Sequence, residues 1–354
     1  MSKFFSKKYA GLTPYTPGEQ PQEMKYIKLN TNESPYPPSP LAQRLAREAA
    51  GDLQLYSDPE CKALVKTAAE KLGVNEDEIV FVNGSDEILN FAFMAFCDKD
   101  HPAVFPNITY GFYPVFAELN GVEYEEKPLN PDFTVNVEDY IGINKNIFIA
   151  NPNAPTGIAL SVSDIERIVS SNPDNVVVVD EAYVDFGAES ALPLIKKYDN
   201  LIVCQTMSKS RSLAGARLGF GVGNAELIKD INTIRYSTNP YNINRMTMAA
   251  GIGALCDTEY FDKCCKEIEK TRAWISAELK NLGFSLTDSS TNFLFAKSDR
   301  IGGKELYLAL KEKGVLIRHF DKPLLDGYNR ITVGSREEME RFLEILKGVL
   351  EEKV

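Results

Sequence analysis

Histidine is scarce in this chain: only His101 and His319 occur among 354 residues. With no third imidazole available, the sequence argues against a His-based zinc site, and it argues against a Ser-His-Asp hydrolase. No metal is expected. The six cysteines (Cys61, Cys97, Cys204, Cys256, Cys264 and Cys265) form no Cys-x-x-Cys pair. Reduced thiols of a cytoplasmic protein are expected, not a disulfide framework. No apolar run reaches membrane-spanning length, and the opening Met1-Ser-Lys-Phe-Phe-Ser-Lys-Lys8 lacks the apolar stretch of a signal peptide. The expectation is a cytoplasmic protein with no membrane partner. Basic charge is in deficit: 39 Lys and Arg stand against 50 Asp and Glu, a net charge of −11. A nucleic-acid surface needs a basic face, so no nucleic acid is expected as partner. Internal repeats and low-complexity tracts are also missing.

What is present is ordinary globular composition, 44% hydrophobic and 25% charged, at a length that suggests about two domains. Residues 1–38 are rich in proline and polar groups and read as an extended arm leading into the smaller domain. Ser39-Pro40 is a helix start, a cap followed by proline at the first helical position, and Gly51 closes that run. From about 79 to 222, apolar runs at Ile79–Val82, Ala103–Phe105, Ile147–Ala150, Val176–Val179 and Leu201–Gln205 alternate with helical patterns at 85–97, 110–119 and 163–171. Ser163-x-x-Glu166 reads as a capping box for the last of these. Such alternation means βαβ units, an α/β fold with a mostly parallel sheet. After about 240 the pattern changes to a long helical region (242–281), then strands at Asn292–Ala296, Val315–Arg318 and Arg330–Val333. A final helix opens with the capping box Ser335-x-x-Glu338 and has its apolar face at Phe342, Ile345, Leu346, Val349 and Leu350. The expected division is therefore an arm (1–38), a large domain (39–240) and a small α+β domain (241–354).

Two stretches point to chemistry. The strand Val176-Val-Val-Val runs into Asp180-Glu-Ala-Tyr183, and the strand Leu201-Ile-Val-Cys-Gln205 runs into Thr206-Met-Ser-Lys209. An acid and an amine thus lie at the carboxyl ends of two consecutive strands, where open α/β sheets bind ligands. A carboxylate for a pyridine nitrogen and a lysine for an aldehyde are what pyridoxal phosphate requires of a protein. In that reading Asp180 keeps the ring nitrogen protonated, and Lys209 links to the cofactor and then moves the substrate proton. Tyr183 reaches the ring's 3-oxygen, and Tyr110 stacks on the ring. Phe81-Val-Asn-Gly84-Ser85-Asp86-Glu87 passes from strand to helix and offers free amides to an anion. Ser208 adds a hydroxyl and Arg217 a planar fork for phosphate oxygens. Gly219-Phe-Gly-Val-Gly223 lacks the frame of a nucleotide loop and reads as a strand. Arg318 and Arg330, each at the end of a small-domain strand, are candidate anion clamps. Each of these residues also has an ordinary reading: Ser85 and Asp180 as helix caps, Tyr110 as core, the arginines and Lys209 as solvated surface. The pattern as a whole favours the chemical one.

That pattern resembles the class I/II aminotransferases, the fold-type-I pyridoxal phosphate enzymes. Asn151-Pro-Asn-Ala-Pro-Thr-Gly157, Val179-Asp-Glu-Ala-Tyr183 and Ser208-Lys followed by Arg217 are marks of the whole family. Leu12-Thr-Pro-Tyr-Thr-Pro-Gly18, Leu29-Asn-Thr-Asn-Glu-Ser-Pro35, Leu55-Tyr-Ser-Asp-Pro-Glu60 and Arg330-Ile-Thr-Val-Gly-Ser-Arg-Glu337 resemble the branch that acts on histidinol phosphate, with glutamate/2-oxoglutarate as the other substrate pair. The resemblance implies a large αβα domain with a mostly parallel sheet, a small α+β domain and a homodimer. It implies that the arm carrying Tyr15 closes over the substrate and that Tyr56 reaches the cofactor phosphate of the other subunit. It also implies that Thr206, Ser208 and Arg217 hold the phosphate in their own subunit, and that Arg330, with Arg318 nearby, binds the substrate anion. One position departs from the family, which often has Asn where this chain has Ala154. The ring's 3-oxygen is then left to Tyr183 alone, to Asn153 in a shifted loop, or to water. An aromatic or broad-range aminotransferase, a threonine-phosphate decarboxylase and a non-catalytic cofactor-binding regulator remain the alternatives at this stage.

Overall fold

The computed structural model describes residues 2–352 except 14, 16, 17 and 22. Short strands of branched and aromatic residues build a seven-stranded sheet: β2 (Ile79–Val82), β3 (Ala103–Pro106), β4 (Tyr124–Lys127), β5 (Asn146–Ala150), β6 (Val177–Asp180), β7 (Leu201–Thr206) and β8 (Gly219–Gly223). The order across the sheet is β2-β8-β7-β6-β5-β3-β4. Only β8 runs against its neighbours; the remaining ladders are parallel. The expected α/β architecture is therefore present. The Gly-x-Gly-x-Gly run is a strand, as its sequence frame suggested.

Residue alternation shows how the sheet is covered. Ile147, Ile149, Val177, Val179 and Val203 enter one core, with Ala42 of α1 (Pro40–Ala49), Leu64 of α2 (Lys62–Leu72) and Ile165 of α5 (Val162–Ser171). Phe148, Ala150, Val178 and Ile202 enter the other, with Leu89 of α3 (Ser85–Phe96), Tyr113 of α4 (Phe112–Asn120) and Ile228 of α6 (Ala225–Thr238). Both faces are buried, as a parallel sheet requires. Glycines let α3 lie close: a Cβ on Gly219 would meet the Ser85 amide nitrogen at 2.4 Å, and one on Gly221 would meet Ile88 at 2.9 Å.

The second sheet is antiparallel, β12 (Arg318–His319), β13 (Tyr328–Thr332), β10 (Phe293–Ser298), β9 (Phe284–Leu286). Its core joins Leu294 and Ile331 to Ile275, Leu306, Phe342 and Leu346 from α8 (Thr258–Asn281), α9 (Gly303–Glu312) and α10 (Arg336–Glu351). The arm enters here: β1 (Ile27–Lys28) pairs in parallel with β11 (Val315–Leu316).

Four expectations need correction. The helix expected to be capped at Ser163 starts one residue earlier, capped by Ser161, whose side chain accepts from the Asp164 amide. Ser161 has the extended backbone a cap needs, whereas Ser163 is already helical. The single helical region at 242–281 is two helices, α7 (Arg245–Cys256) and α8, broken at Asp257. The first helix ends at Ala49, before Gly51. Finally, α7 buries Ala250, Ala254 and Leu255 in the large sheet's core. The change of core therefore falls at α8 and not at 241. Among the described residues no helix is long and apolar enough to cross a membrane. All six cysteines are free, and only Cys256 is exposed.

Candidate active site

The carboxyl ends of β6 and β7 open into a cavity of about 230 Å³. Asp180, Tyr183, Thr206, Ser208 and Lys209 line one part of its wall, and Ser85, Asp86, Tyr110 and Arg217 line another. A larger hollow of about 440 Å³, between residues 60–81 and 225–236, contains none of these residues, so size alone does not locate the chemistry.

The anion end is built by backbone. Gly84 precedes α3 with φ +81°, and a Cβ there would sit 2.3 Å from Arg217 Nη2. The missing side chain brings the guanidinium against the helix N-terminus, whose free amides favour negative charge. Arg217 lies 3.0 Å from Asp86 Oδ2, and the Tyr110 hydroxyl donates to Asp86 Oδ1 at 2.5 Å. The Thr206 hydroxyl donates to Ser208 Oγ at 3.0 Å and accepts from the Ser208 amide.

Asp180 is the acid of the site. Its Oδ2 accepts from the fully buried Tyr113 hydroxyl at 3.2 Å, while Oδ1 is buried with no hydrogen-bond partner. Burial pushes the carboxyl from its ordinary 3.8 up to about 7; the Tyr113 hydroxyl works against this and the Asp86 charge adds to it. A buried acceptor without a donor is costly, and a protonated ring nitrogen is the donor that would satisfy it. The next residue, Glu181, is also buried and pushed up to about 7 by desolvation, but it is fully engaged by Ser190, the Ala191 amide and Gln205. It serves structure. Lys209 Nζ donates to the Thr31 carbonyl at 3.3 Å and lies 5.9 Å from the centre of the Tyr183 ring. The residues therefore fit pyridoxal phosphate at both ends, with the cation and helix amides at one and the unpartnered carboxylate oxygen at the other.

Asn153 does not join this wall. Its Oδ1 accepts from Thr109, and its Nδ2 donates to the Ile108 carbonyl and to Thr156. Its neighbours Pro152 and Ala154 face the cavity instead. The shifted-loop option for the ring's 3-oxygen finds no support here, because the amide is engaged by Ile108, Thr109 and Thr156.

Arg330 is half-buried, stands opposite Arg318 across the β12–β13 pair and donates to the Asn30 carbonyl at 3.1 Å. Its Nε is buried without a partner. Desolvation lowers its pKa, and the Tyr183 and Tyr15 hydroxyls act in the opposite direction. Phe293 links it to the cavity, edge-on to Tyr183 at 5.1 Å and 5.3 Å from the guanidinium. Tyr15 stacks on Phe112 at 4.1 Å; of its motif, Pro14, Thr16 and Pro17 lie outside the described residues. Tyr56 is not at this cavity. It is 81% exposed and stacks on Tyr241 at 4.6 Å.

The sequence reading missed one group of contacts. Asn30, Thr31 and Asn32 each touch a different candidate residue: Arg330, Lys209 and Tyr183. Their signal in the sequence is the Leu29-Asn-Thr-Asn-Glu-Ser-Pro35 motif.

The family model for aminotransferase class I and II matches residues 24–346. A histidinol-phosphate aminotransferase of Brachyspira hyodysenteriae is 49% identical over 352 residues, 99% of each chain. One from Clostridium botulinum (strain Okra) is 44% identical over 351 residues, again 99% of each. The solved histidinol-phosphate aminotransferase of Sinorhizobium meliloti, in complex with pyridoxal-5'-phosphate, shares the fold. Its TM-score is 0.90 over 100% of this chain and 99% of that one, at 24% identity.

Proposed function

The chain belongs to the class I and II aminotransferase family, and we propose that it moves the amino group of L-histidinol phosphate to 2-oxoglutarate, giving imidazole-acetol phosphate and glutamate in histidine biosynthesis. It is a pyridoxal 5'-phosphate enzyme. When bound, the cofactor supplies an aldehyde that exchanges with the substrate amine and a ring that accepts the electron pair left on the substrate carbon.

The protein's residues do the rest. Arg217, Thr206, Ser208 and the amides of Ser85 and Asp86 bind the phosphate. Asp180 Oδ1 holds a proton at the ring nitrogen. Tyr183 donates toward the ring's 3-oxygen, and Tyr110 covers the ring face. Lys209 Nζ is the group that carries a proton to and from the substrate carbon. Arg330, with Arg318 beside it, binds an anion, the phosphate of one substrate or the α-carboxylate of the other, and Tyr15 closes the site from the arm.

The observation that carries the substrate reading is the half-buried Arg330, whose buried Nε has no partner and which faces a second arginine across the strand pair. Two guanidinium groups suit a dianionic phosphate. We read the working form as a cytoplasmic homodimer. The exposed side chains of Leu53, Leu55, Tyr56 and Tyr241, the last two stacked on each other, support this, and Tyr56 is available to a neighbouring subunit's phosphate. Single-turnover spectra of the holoenzyme with histidinol phosphate, phenylalanine, glutamate and threonine phosphate test the proposal. Histidinol phosphate and glutamate are expected to bleach the cofactor's visible band fastest. Reaction with threonine phosphate alone, with release of carbon dioxide, would make the protein a decarboxylase. A faster reaction with phenylalanine than with histidinol phosphate would make it an aromatic aminotransferase.

A further inference from the structure

Ala154 takes away a side-chain donor from the place where the family often has an asparagine. Tyr183 is then the remaining side-chain donor toward the ring's 3-oxygen, and the direction of its proton matters. A tyrosine hydroxyl has one hydrogen to give. If a neighbour accepted it, the 3-oxygen would receive none.

Asn32 prevents that. Its Nδ2 donates to the Tyr183 hydroxyl oxygen at 2.9 Å. Its orientation is held from the other end, because the buried Thr332 hydroxyl donates to Asn32 Oδ1 at 3.1 Å while accepting the Asn32 amide at 3.0 Å. Asn292 Nδ2 ties down the Asn32 carbonyl at 3.0 Å. Reversing the amide would leave the Thr332 hydrogen without this acceptor. Asn32 is 1% exposed and has φ +55°, a left-handed conformation that asparagine tolerates better than most residues.

We propose that Asn32 is a positioning residue that occupies the acceptor side of the Tyr183 hydroxyl and so commits its proton to the cofactor's 3-oxygen, doing indirectly what the absent asparagine at 154 does elsewhere. The small domain's β13, through Thr332, thereby sets a hydrogen bond in the large domain's cavity. This rests on the pyridoxal phosphate reading above.

The test uses Asn32→Asp, which keeps the shape and tolerates the backbone but accepts where asparagine donates. Its carboxylate turns the Tyr183 proton away from the cofactor. The 3-oxygen anion loses its donor, so the pH midpoint of the bound cofactor's visible band should rise by about one unit or more, and cofactor dissociation should become about tenfold easier. Adding Ala154→Asn should bring the midpoint back down, because a direct donor returns. In a Tyr183→Phe background Asn32→Asp should leave the midpoint unmoved. Thr332→Val, a near-isosteric change that frees the amide, should shift it in the same direction by less. If Asn32→Asp does not fold, the Thr332→Val comparison decides. Midpoints equal to wild type in whichever of these variants binds cofactor, or a shift that persists without the Tyr183 hydroxyl, would overturn the proposal. A wild-type protein that takes up no pyridoxal phosphate and shows no visible band would instead overturn the cofactor reading beneath it.

Discussion

Asp180 makes the ligand-free protein pay for its own active site, and that cost can be measured. Its carboxyl is buried with one oxygen unpartnered, and its pKa rises from 3.8 to about 7. An acid whose folded pKa is raised binds more protons in the folded state than in the unfolded chain between those two values. Its contribution is therefore most favourable below about 4 and is lost as pH climbs through about 7. The gap corresponds to about 4 kcal/mol, an upper figure for one carboxyl. Asp180→Asn removes the titration while keeping the shape. Glu181 contributes a slope of the same sign, but it is present in both proteins and cancels in the difference. Ligand-free wild type and Asp180→Asn, unfolded in urea at several pH values from 5 to 9, should therefore diverge. The wild type should lose about 2–3 kcal/mol relative to the variant between pH 5 and pH 8. Saturating cofactor should reverse the order, since the protonated ring nitrogen meets the wild-type anion and not the amide. The variant's transamination should fall by about 100-fold or more. Parallel stability curves for the two ligand-free proteins would refute the reasoning, because they would mean that Asp180 is solvated as folded.

Four further outcomes follow from the same geometry. Lys209→Ala should still bind cofactor through the phosphate end but lose turnover by several orders of magnitude, and borohydride should attach cofactor to the wild-type Lys209 peptide only; near-normal turnover in the variant would remove Lys209 from its role. Arg330→Lys keeps the charge but loses the planar fork, so kcat/KM should fall by a few kcal/mol equivalents in both half-reactions together, whereas Arg318→Ala should harm histidinol phosphate more than glutamate. Gly84→Ala puts a methyl 2.3 Å from Arg217 at φ +81°; a stability loss of about 1–2 kcal/mol with weaker cofactor binding is expected in equilibrium titration. Tyr56→Phe should loosen the cofactor by about 1 kcal/mol or somewhat more, and mixing it with Lys209→Ala chains should produce heterodimers with one intact site; a fully active monomer in sedimentation would contradict this.

The valine run ending on Asp180 and the second strand ending on Thr206 could be read in advance because each lies within a few consecutive residues and buried strands have a plain apolar signature. Tyr124–Lys127 was not visible as a strand. It sits at the sheet edge and reads Tyr-Glu-Glu-Lys, since an edge strand needs little apolar burial. The helix Lys62–Leu72 went unseen because its cap, Cys61, makes no side-chain hydrogen bond and has a left-handed backbone. Ser161 and Ser163 are both plausible caps on paper, and only the backbone turn distinguishes them. At the site, the fate of Asn153 and the role of Asn32 depend on which way an amide points and on a partner far along the chain, to which local pattern is blind.

The contacts made by Asn30, Thr31 and Asn32 also bear on the order in which the molecule is completed. Their partners are Arg330, Lys209 and Tyr183, 300, 178 and 151 residues away in sequence. Contacts of such separation close only after most chain entropy has been lost. During synthesis from the N-terminus, the segment that steadies the site is made first, but it waits for β13, near the far end, before it can settle. A chain truncated before Arg330 would carry Lys209, Asp180 and the phosphate amides yet lack the strand that holds residues 30–32 in place. Tight cofactor retention is thus a late event in the life of each molecule, and the yellow colour of the holoenzyme would report that both ends of the chain have met.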